Sequence, residues 1–463
     1  MVQIKMVKLQ KSKTSNLFFI FCFLSIHALS IPHAIAGTQC LAEVARAVSI
    51  QGNVELRRAH DSVWKAVKLD TKICINDTLR VRKNSRAALR LSNNSMMRLD
   101  QKTTVTFPAI EEKDSSSLID VLKGAIHILT RTPQPFKIRT PFMNAGVEGT
   151  EFFVGVEADH TRLIVYEGQV SASNDQGSVT LNAQESTVAY KNQLPHKDII
   201  IRSIDAVQWA LYYPAIIGNH RHTTPKETNV SDLLYEAENL LSVGQAHEAN
   251  LLINRLLESE ADNSDAIALQ AIIAVVQNDK ELAFEKATRA VSLHDQSVPA
   301  KLALSYAQQA SFKIEDALLS VKQAVELDPY NALIWARLAE LYMSIGELEN
   351  ALDAANEAVR LDASIAKTQT VLGFSHLLQI NITDAKAIFE KAILLDQSDP
   401  MPRLGMGLAL IREGELETGR IEIEIAASLD PANSLVRSYL GKAYFEEERG
   451  LSRNSLRAEA RIV

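Results

Sequence analysis

The sequence predicts a multidomain protein in which an all-β domain, a sandwich or roll, precedes an all-α superhelical solenoid. Two observations predict this order. Short runs of β-type residues fill the chain from about residue 41 to 190, and a 34-residue self-similarity then runs from about residue 230 to the end. The predicted divisions are a signal peptide (1–36), the β domain (37–190), a linker with a short helix (191–229) and the helical array (230–463).

The first 36 residues have the pattern of a secretory signal peptide. Lysines without acidic residues come first, a continuous apolar run follows over 17–26, and Ala34-Ile35-Ala36 supplies small residues for cleavage before Gly37. An uncleaved anchor is the alternative, but the run is short for a membrane span. The pattern predicts export to a periplasm, with association to the outer membrane as a further option and no transmembrane span after cleavage.

Two cysteines remain in the predicted mature chain. Cys22 lies in the signal region, which leaves Cys40 and Cys74. In an oxidising compartment an even number of cysteines indicates a disulfide. Two buried free thiols are the alternative.

The region 37–190 reads as a succession of short strands. Runs that alternate in polarity or are β-branched begin at 44–50 and end at 178–181, and turn residues such as Gly52, Asn93-Asn94 and Gly168 separate them. Many short strands at near-regular spacing predict a sandwich or a barrel-like roll.

Several stretches of this region resemble a FecR-type domain. They are VSIQGNVE at 48–55, DTLR at 77–80, SRAAL at 85–89, RL at 98–99, TPFMNAGVEGTEF at 140–152 and YEGQV at 166–170. Glu148 departs from the arginine that the family often has before the Gly-Thr pair. The resemblance, over about 45–190, implies an envelope binding module; too few residues precede the apolar run for a cytoplasmic regulatory domain.

The array is best defined by the repeat that begins at Ala332. Its small and large apolar residues recur one and two periods away, and the pattern comprises Trp335, Leu338, Ala339, Tyr342, Gly346, Ala351 and Ala358. This spacing resembles the tetratricopeptide (TPR) repeat, a pair of helices that stacks on its neighbours and forms a concave surface for a peptide or protein.

Turn residues predict where the repeat helices end. Gly346 and Gly414 favour a left-handed turn after the first helix, and Pro329 and Pro431 prevent continuation of the second. The repeat at 230–263 matches poorly and is expected to cap the array. The repeat from 434 is incomplete, so its end is either a cap or the point where a longer protein was shortened.

Side chains at position 9 of the first helices are expected to face the concave surface. They form the predicted partner groove, and they are Tyr306, Glu340, Phe374 and Leu408. Packing between repeats is the alternative role. The expected partners are proteins of the cell envelope, for example an outer-membrane transporter or a secretion component.

A basic cluster in the β domain offers a second candidate site. It comprises Arg80, Arg82, Lys83, Arg86, Arg90 and Arg98. On alternating strands these residues would suit an anionic cell-wall glycan, a lipid headgroup or an acidic partner; a solvated strand face is the alternative. The chain as a whole has a net charge of −7, and its acidic array argues against binding of nucleic acid.

The sequence has no pattern that indicates catalysis. Nucleophile elbows, phosphate loops and His or Cys spacings typical of metal sites do not occur. The sequence therefore predicts a non-enzymatic scaffold or sensor without metal or cofactor, or a glycan-binding protein in which the repeats act as a spacer.

Overall fold

The computed structural model describes Cys40 and residues 42–59, 61–109, 117–130, 136–198, 203–217 and 230–459. The predicted signal peptide and its cleavage site lie outside the described residues. The β domain and the helical array belong to one compact unit, Cys40–Val463.

The β domain contains strands of very different lengths. Its described strands are β1 (Glu43–Gln51), β2 (Val54–Arg57), β3 (Lys65–Ala66), β4 (Lys72–Cys74), β5 (Thr78–Val81), β6 (Arg86–Leu91), β7 (Met96–Leu99), β8 (Thr104–Thr106), β9 (Ser117–Leu129), β10 (Phe136–Arg139), β11 (Asn144–Val156), β12 (His160–Asn174), β13 (Gly177–Asn182), β14 (Ser186–Tyr190) and β15 (His196–Asp198). The last of them lies beyond residue 190, where the sequence placed the end of the domain.

These strands form one continuous, folded-over sheet. Its main path runs β15–β14–β12–β11–β10–β9–β7–β6–β1–β4, and a branch runs from β9 through β8, β5 and β2 to β3. The pairs are antiparallel except β9 with β10. Alternate side chains from both parts of the sheet, including Leu79, Leu89 and Phe152, meet in one apolar core. The predicted all-β class is confirmed.

Cys40 and Cys74 form a disulfide, with 5.5 Å between their Cα atoms. The bond ties the start of the domain to the end of β4. In the chain-entropy model a closed loop of this length stabilises a fold by about 3–4 kcal/mol.

Helices begin at Val230 and continue to the end of the described chain. They are α1 (Val230–Ser242), α2 (Ala246–Ser259), α3 (Ser264–Val276), α4 (Lys280–Leu293), α5 (Val298–Ala310), α6 (Ile314–Leu327), α7 (Ala332–Ile345), α8 (Leu348–Leu361), α9 (Ala366–Leu378), α10 (Ile382–Leu395), α11 (Pro400–Glu413), α12 (Leu416–Leu429) and α13 (Ser434–Glu459). The predicted helical solenoid is confirmed. Among the described helices, none is both long enough and apolar enough to cross a membrane.

Capping residues account for the helix ends. Asn331 caps α7 by accepting a hydrogen bond from the Leu333 amide, at 3.1 Å. Gly346 and Gly414 end α7 and α11 with φ of 82° and 94°, as the sequence predicted. The last helix differs from a repeat: α13 is one continuous helix of 26 residues, whereas a complete repeat consists of two helices joined by a turn. Glu448 stands at the position of Gly346 and Gly414, so nothing in the sequence forces a turn there.

The equivalent turns in two other repeats carry large residues in the left-handed conformation. Phe312 has φ of 60° and Ile380 has φ of 67°. Both side chains are exposed, by 84% and 65%. For a β-branched residue this backbone conformation is a clear outlier. The repeat geometry therefore imposes the turn even where the residue disfavours it.

Replacing Ile380 by glycine should raise the free energy of unfolding by about 1 kcal/mol, because relief of roughly 1–2 kcal/mol of strain exceeds the entropy that glycine loses. Urea unfolding followed by circular dichroism measures the change. Leu394→Gly is the control: Leu394 is 64% exposed inside α10, and glycine there should lower stability by about 1 kcal/mol. Equal losses in both variants would contradict the strain argument.

Candidate interaction surface

One face of the sheet packs against the last part of the array. Val48 and Met96, on β1 and β7, form an apolar cluster with Ile425 and Leu429 of α12. Because the opposite side of the same strands lines the core of the β domain, β6 is buried along nearly its whole length. This packing joins the β domain and the array into one body.

Arg86 connects the sheet to the beginning of the array. Its guanidinium donates hydrogen bonds to the carbonyl oxygens of Trp209 (2.8 Å), Leu211 (3.0 Å) and Ser242 (3.0 Å). Ser242 is the last residue of α1, where helix carbonyls lack partners and the helix dipole favours a cation. The Arg86 side chain also donates to the Gln51 carboxamide oxygen. One buried side chain thus holds β6, α1 and the preceding chain segment together.

A second buried arginine makes the matching contact at the other end of the array. Arg98 on β7 donates to the Ser428 carbonyl, at 2.9 Å, in the last turn of α12. The array also contributes an arginine to the sheet: Arg403 of α11 donates a hydrogen bond to the Val48 carbonyl oxygen of β1, at 3.0 Å. Burial lowers the pKa of both Arg86 and Arg98, since a desolvated cation is unfavourable.

Gln51 lies between the two ends of the array. Its carboxamide nitrogen donates to the Ser242 carbonyl (3.3 Å) and to the Ser398 hydroxyl (2.6 Å). The neighbouring Ile50 amide donates to the Gln397 side chain at 2.9 Å. The helical array therefore curves so far that the end of α1 and the loop before α11 meet at the same strand.

A charged cluster adds a third link, between β11 and α13. Arg437 donates two hydrogen bonds to the Glu151 carboxylate, at 2.6 and 2.7 Å, and His127 Nε2 lies 3.2 Å from the same group. Burial raises the pKa of Glu151, but His127 and Arg437 outweigh it and lower this pKa to about 2. Glu151 belongs to the TPFMNAGVEGTEF stretch, so this part of the motif contacts the array.

The segment 209–217 runs from the β domain, where Trp209 packs with Phe153 and Ile164, onto the inner surface of the array. We call "the groove" the surface formed by first helices α5, α7 and α9, whose lining side chains are Leu302, Tyr306, Leu333, Arg337 and Lys367. Tyr212, Pro214 and Ala215 face these residues across a cavity of about 160 Å³. The groove is therefore partly occupied by the protein's own chain.

Polar and charged residues surround Tyr212 in the groove. Lys367 and Arg337 both form ion pairs with the Glu340 carboxylate. The distance from Arg337 Nη1 to Glu340 Oε2 is 3.1 Å. Burial raises the pKa of Tyr212, and Asp399 raises it further. Burial also raises the pKa of Asp399 itself to about 7, although Lys367 acts in the opposite direction.

The four residues predicted to line the partner groove fall into two pairs. The guanidinium carbon of Arg337 lies 3.8 Å from the centroid of the Tyr306 ring. Tyr306 and Glu340, which pairs with Arg337, border the groove. Phe374 packs edge-on against Phe389, with 5.0 Å between ring centroids, and Leu408 packs in the same apolar cluster. The first pair lies beside segment 209–217, whereas the second contributes to packing between repeats.

The six basic residues do not form one exposed patch. Arg86 and Arg98 are each only 2% exposed, because they are hydrogen bonded to the array. Arg80 and Arg82 both donate to Glu55, at 2.5 and 2.6 Å. Of the remaining two, Arg90 donates to Asn94 at 2.9 Å and Lys83 is exposed. The expectation of a shared basic surface therefore fails for the buried pair, whose charges are used inside the protein.

Sequence reasoning missed the most important contacts of segment 209–217, which it treated as linker. The structure places a short 3₁₀ helix at Ser203–Ala210 and then irregular chain as far as residue 217. The run WALYYPAII is far more apolar than a solvated linker, and that composition was the available signal.

Within the described residues, no group of three or more His, Cys, Asp or Glu side chains is arranged to hold a metal ion.

Comparison with known families agrees with both parts of the fold. Residues 77–171 match the family model "FecR protein", and residues 332–365 match the model "Tetratricopeptide repeat". The chain thus combines a FecR-type domain with TPR repeats, as the two sequence resemblances predicted.

Individual relatives are distant. Anaphase-promoting complex subunit 3 of Schizosaccharomyces pombe is 25% identical over 122 residues, which is 26% of this chain and 18% of that protein's length. The crystal structure of a putative anti-sigma factor from Parabacteroides distasonis is 18% identical, with a TM-score of 0.26. The match covers 30% of this chain and 67% of the anti-sigma factor chain. A TPR protein of Thermus thermophilus is 20% identical with a TM-score of 0.35, covering 39% and 98%.

Arg86→Ala should lower the free energy of unfolding by about 3 kcal/mol, because it leaves buried carbonyl groups without donors. Chemical denaturation of the full chain measures the loss. Arg82→Ala is the matched control: its ion pair with Glu55 is largely exposed, and such pairs contribute less than about 1 kcal/mol. Equal losses in the two variants would show that Arg86 does not anchor the array.

Glu151 should make stability depend on acid. Its folded pKa of about 2 lies below the usual value of 4.5, so its contribution is complete above about pH 4.5 and is lost as pH falls through the folded pKa. The contribution is on the order of 3 kcal/mol.

Denaturation midpoints measured between pH 2 and pH 7 test this dependence. Glu151→Gln should be less stable than wild type at pH 7 and should flatten the acid limb of the curve. Glu185→Gln, which removes a surface pair with Lys197, should leave that limb unchanged. An acid limb of wild-type steepness in Glu151→Gln would contradict the assignment.

Proposed function

We propose that this protein is an exported, non-enzymatic scaffold and sensor of the cell envelope. In this proposal the TPR groove holds a protein partner, and the FecR-type domain docks to an envelope component. FecR-type and TPR regions are those of interaction and regulatory proteins, which supports the general class. The identity of the partner and the periplasmic location are part of the proposal.

The observation that carries the proposal is the double attachment of one sheet to the array. Gln51 and Arg86 contact the end of α1, while Gln51 and Arg98 contact the loop before α11 and the end of α12. Any change in the curvature of the array must therefore change contacts of the β domain. A protein that only displays two independent binding modules has no need of such links.

The opposite side of the β domain is available for docking. All three residues of β15 are exposed, and β13 presents an exposed residue at every second position, although Leu181 is buried. Edge strands with free hydrogen-bonding groups are common sites of contact between proteins. We assign docking of the envelope component to this edge, away from the array.

Export is supported by two features. The predicted signal peptide precedes the domain, and the Cys40–Cys74 disulfide is typical of oxidising compartments. Binding of cell-wall glycan is less well supported, because Arg86 and Arg98 face the array and Arg80 and Arg82 pair with Glu55.

Photo-crosslinking in cells tests the proposal. A photoreactive phenylalanine at Tyr306, in the groove, should capture an envelope protein, and a photoreactive residue at Lys197 on β15 should capture the docking component. Tyr330, which is 81% exposed in the loop before α7, is the control position and should capture neither. Cell fractionation establishes the compartment.

Two outcomes would contradict the proposal. The first is recovery of the protein in the cytoplasm. The second is the absence of captured protein at both Tyr306 and Lys197, together with salt-sensitive sedimentation of the full chain with cell-wall sacculi. That result would favour the glycan-binding alternative.

A further inference from the structure

We propose that segment 209–217 is an internal substitute for the partner: it occupies the groove until an extended segment of another protein, with adjacent aromatic residues followed by proline, displaces it. The inference rests on the proposed function and specifies the partner of the same groove. Within this chain the displaced motif is Tyr212-Tyr213-Pro214.

The segment is held in the way a bound peptide is held. Leu211, Tyr213 and Ile216 are buried in the apolar cluster formed by the helices. The backbone amides of Ile216 and Ile217 donate to one Glu238 carboxylate oxygen of α1, at 2.6 and 2.7 Å. Residues 211–217 form neither helix nor strand, so receptor side chains satisfy main-chain groups that secondary structure would otherwise pair.

The fit of the segment is incomplete where it crosses α5, α7 and α9. The cavity of about 160 Å³ lies against Tyr212, Pro214 and Ala215, and it has room for about five waters at roughly 30 Å³ each. Ala215 is exposed, and Tyr212 and Pro214 are only half-buried, so this space is open to solvent. A partner with larger side chains can therefore fill space that the segment leaves to water.

The surroundings of Tyr212 favour an aromatic residue with a polar end. Asp399, Asp396 and Glu340 provide charges near its hydroxyl, and Tyr306 and Lys367 line the same cavity. Tyrosine combines a large apolar surface with a hydroxyl that can hydrogen bond. The groove therefore favours a partner with tyrosine at this position over one with an aliphatic residue.

Displacement of the segment would reach the β domain through Arg86. The carbonyl groups of Trp209 and Leu211 are two of the three backbone carbonyls that Arg86 binds. Without the segment, Arg86 keeps only Ser242 among them, and the attachment of β6 to α1 weakens. Occupation of the groove and docking of the β domain are thus coupled.

A single glycine allows the segment to be disturbed. Gly244 follows α1 with φ of 79°, and a Cβ atom there would lie 2.1 Å from the Trp209 carbonyl oxygen and 2.8 Å from Nη1 of Arg86, which binds that carbonyl. Gly346 occupies the same position of its own repeat with φ of 82°, and a Cβ atom there would meet nothing within 4 Å. Alanine at either position introduces the same backbone strain, but only Gly244→Ala presses on the segment.

The test is direct binding of a fluorescent peptide with the sequence of residues 207–217, VQWALYYPAII, to the full chain. Gly244→Ala should bind this peptide at least tenfold more tightly than wild type, and Gly346→Ala should bind it as wild type does. A peptide with alanine in place of both tyrosines should lose at least tenfold in affinity for Gly244→Ala. Glu238→Gln, which weakens the hold on Ile216 and Ile217 without changing side-chain size, should also increase binding.

Equal binding by Gly244→Ala, Gly346→Ala and wild type, with Glu238→Gln also unchanged, would overturn the inference. So would loss of helical circular dichroism in both Gly244→Ala and Glu238→Gln without any gain in binding, since the segment would then be an essential part of the core. Neither result depends on the cellular partner. Capture from Tyr306 in cells, with no effect of these variants on the peptide, would retain the proposed function and reject only the internal substitute.

Discussion

The buried guanidinium of Arg86 is the contact on which the arrangement of the whole molecule depends. It joins three parts of the chain that are distant in sequence: the start of β6, the segment that enters the array, and the end of α1. Burying such a charge is unfavourable unless its donors are satisfied. Here the oriented carbonyls of a helix end and an irregular segment supply that satisfaction. The relative positions of the three parts are therefore fixed together, because moving any one of them leaves N–H donors of the buried guanidinium without acceptors.

This closure changes how the repeats contribute to stability. In an open solenoid each repeat contacts only its neighbours, and the total stability is close to a sum of local terms. Here the β domain contacts both ends of the array through Gln51, Arg86 and Arg98. The repeats at the two ends are therefore coupled through the sheet. Unfolding of the first repeat must weaken contacts of the sixth, so the array should respond as a larger cooperative unit than its sequence period implies.

The sequence was sufficient for local structure. The 34-residue period located the helices, and Gly346 and Gly414 marked the turns, because these features depend on residues close in sequence. Where the usual glycine is missing, as at Phe312 and Ile380, the turn forms although the residue type disfavours it. Packing of the neighbouring helices overrides the local preference in these two turns.

Contacts between distant parts could not be predicted in the same way. Arg86 and Arg98 resembled members of an exposed basic patch, because a strand pattern does not reveal that both faces of β6 and β7 are covered. Tyr306 and Glu340 border the groove, but nothing in the repeat pattern indicates which residues of the chain occupy that surface. The aromatic run in segment 209–217 was a signal of burial that received too little weight, because linkers are normally polar.

Because segment 209–217 is covalently attached to the protein whose groove it occupies, any partner must bind the groove much more tightly than the segment does. A segment attached to its own binding site by a short connection competes at an effective concentration on the order of millimolar. A partner present at micromolar concentration must therefore have an intrinsic affinity about a thousandfold higher, which corresponds to about 4 kcal/mol.

The groove contains a source for part of that difference. Filling the cavity beside Ala215 with apolar atoms gains about 25 cal/mol for each Å² removed from water, so about 100 Å² of additional burial supplies roughly 2.5 kcal/mol. The remainder has to come from contacts that segment 209–217 does not make, such as those along α9 and α11 beyond Lys367. A short peptide that merely copies the internal segment cannot meet this condition against the closed protein, whereas a longer partner that extends along those helices can.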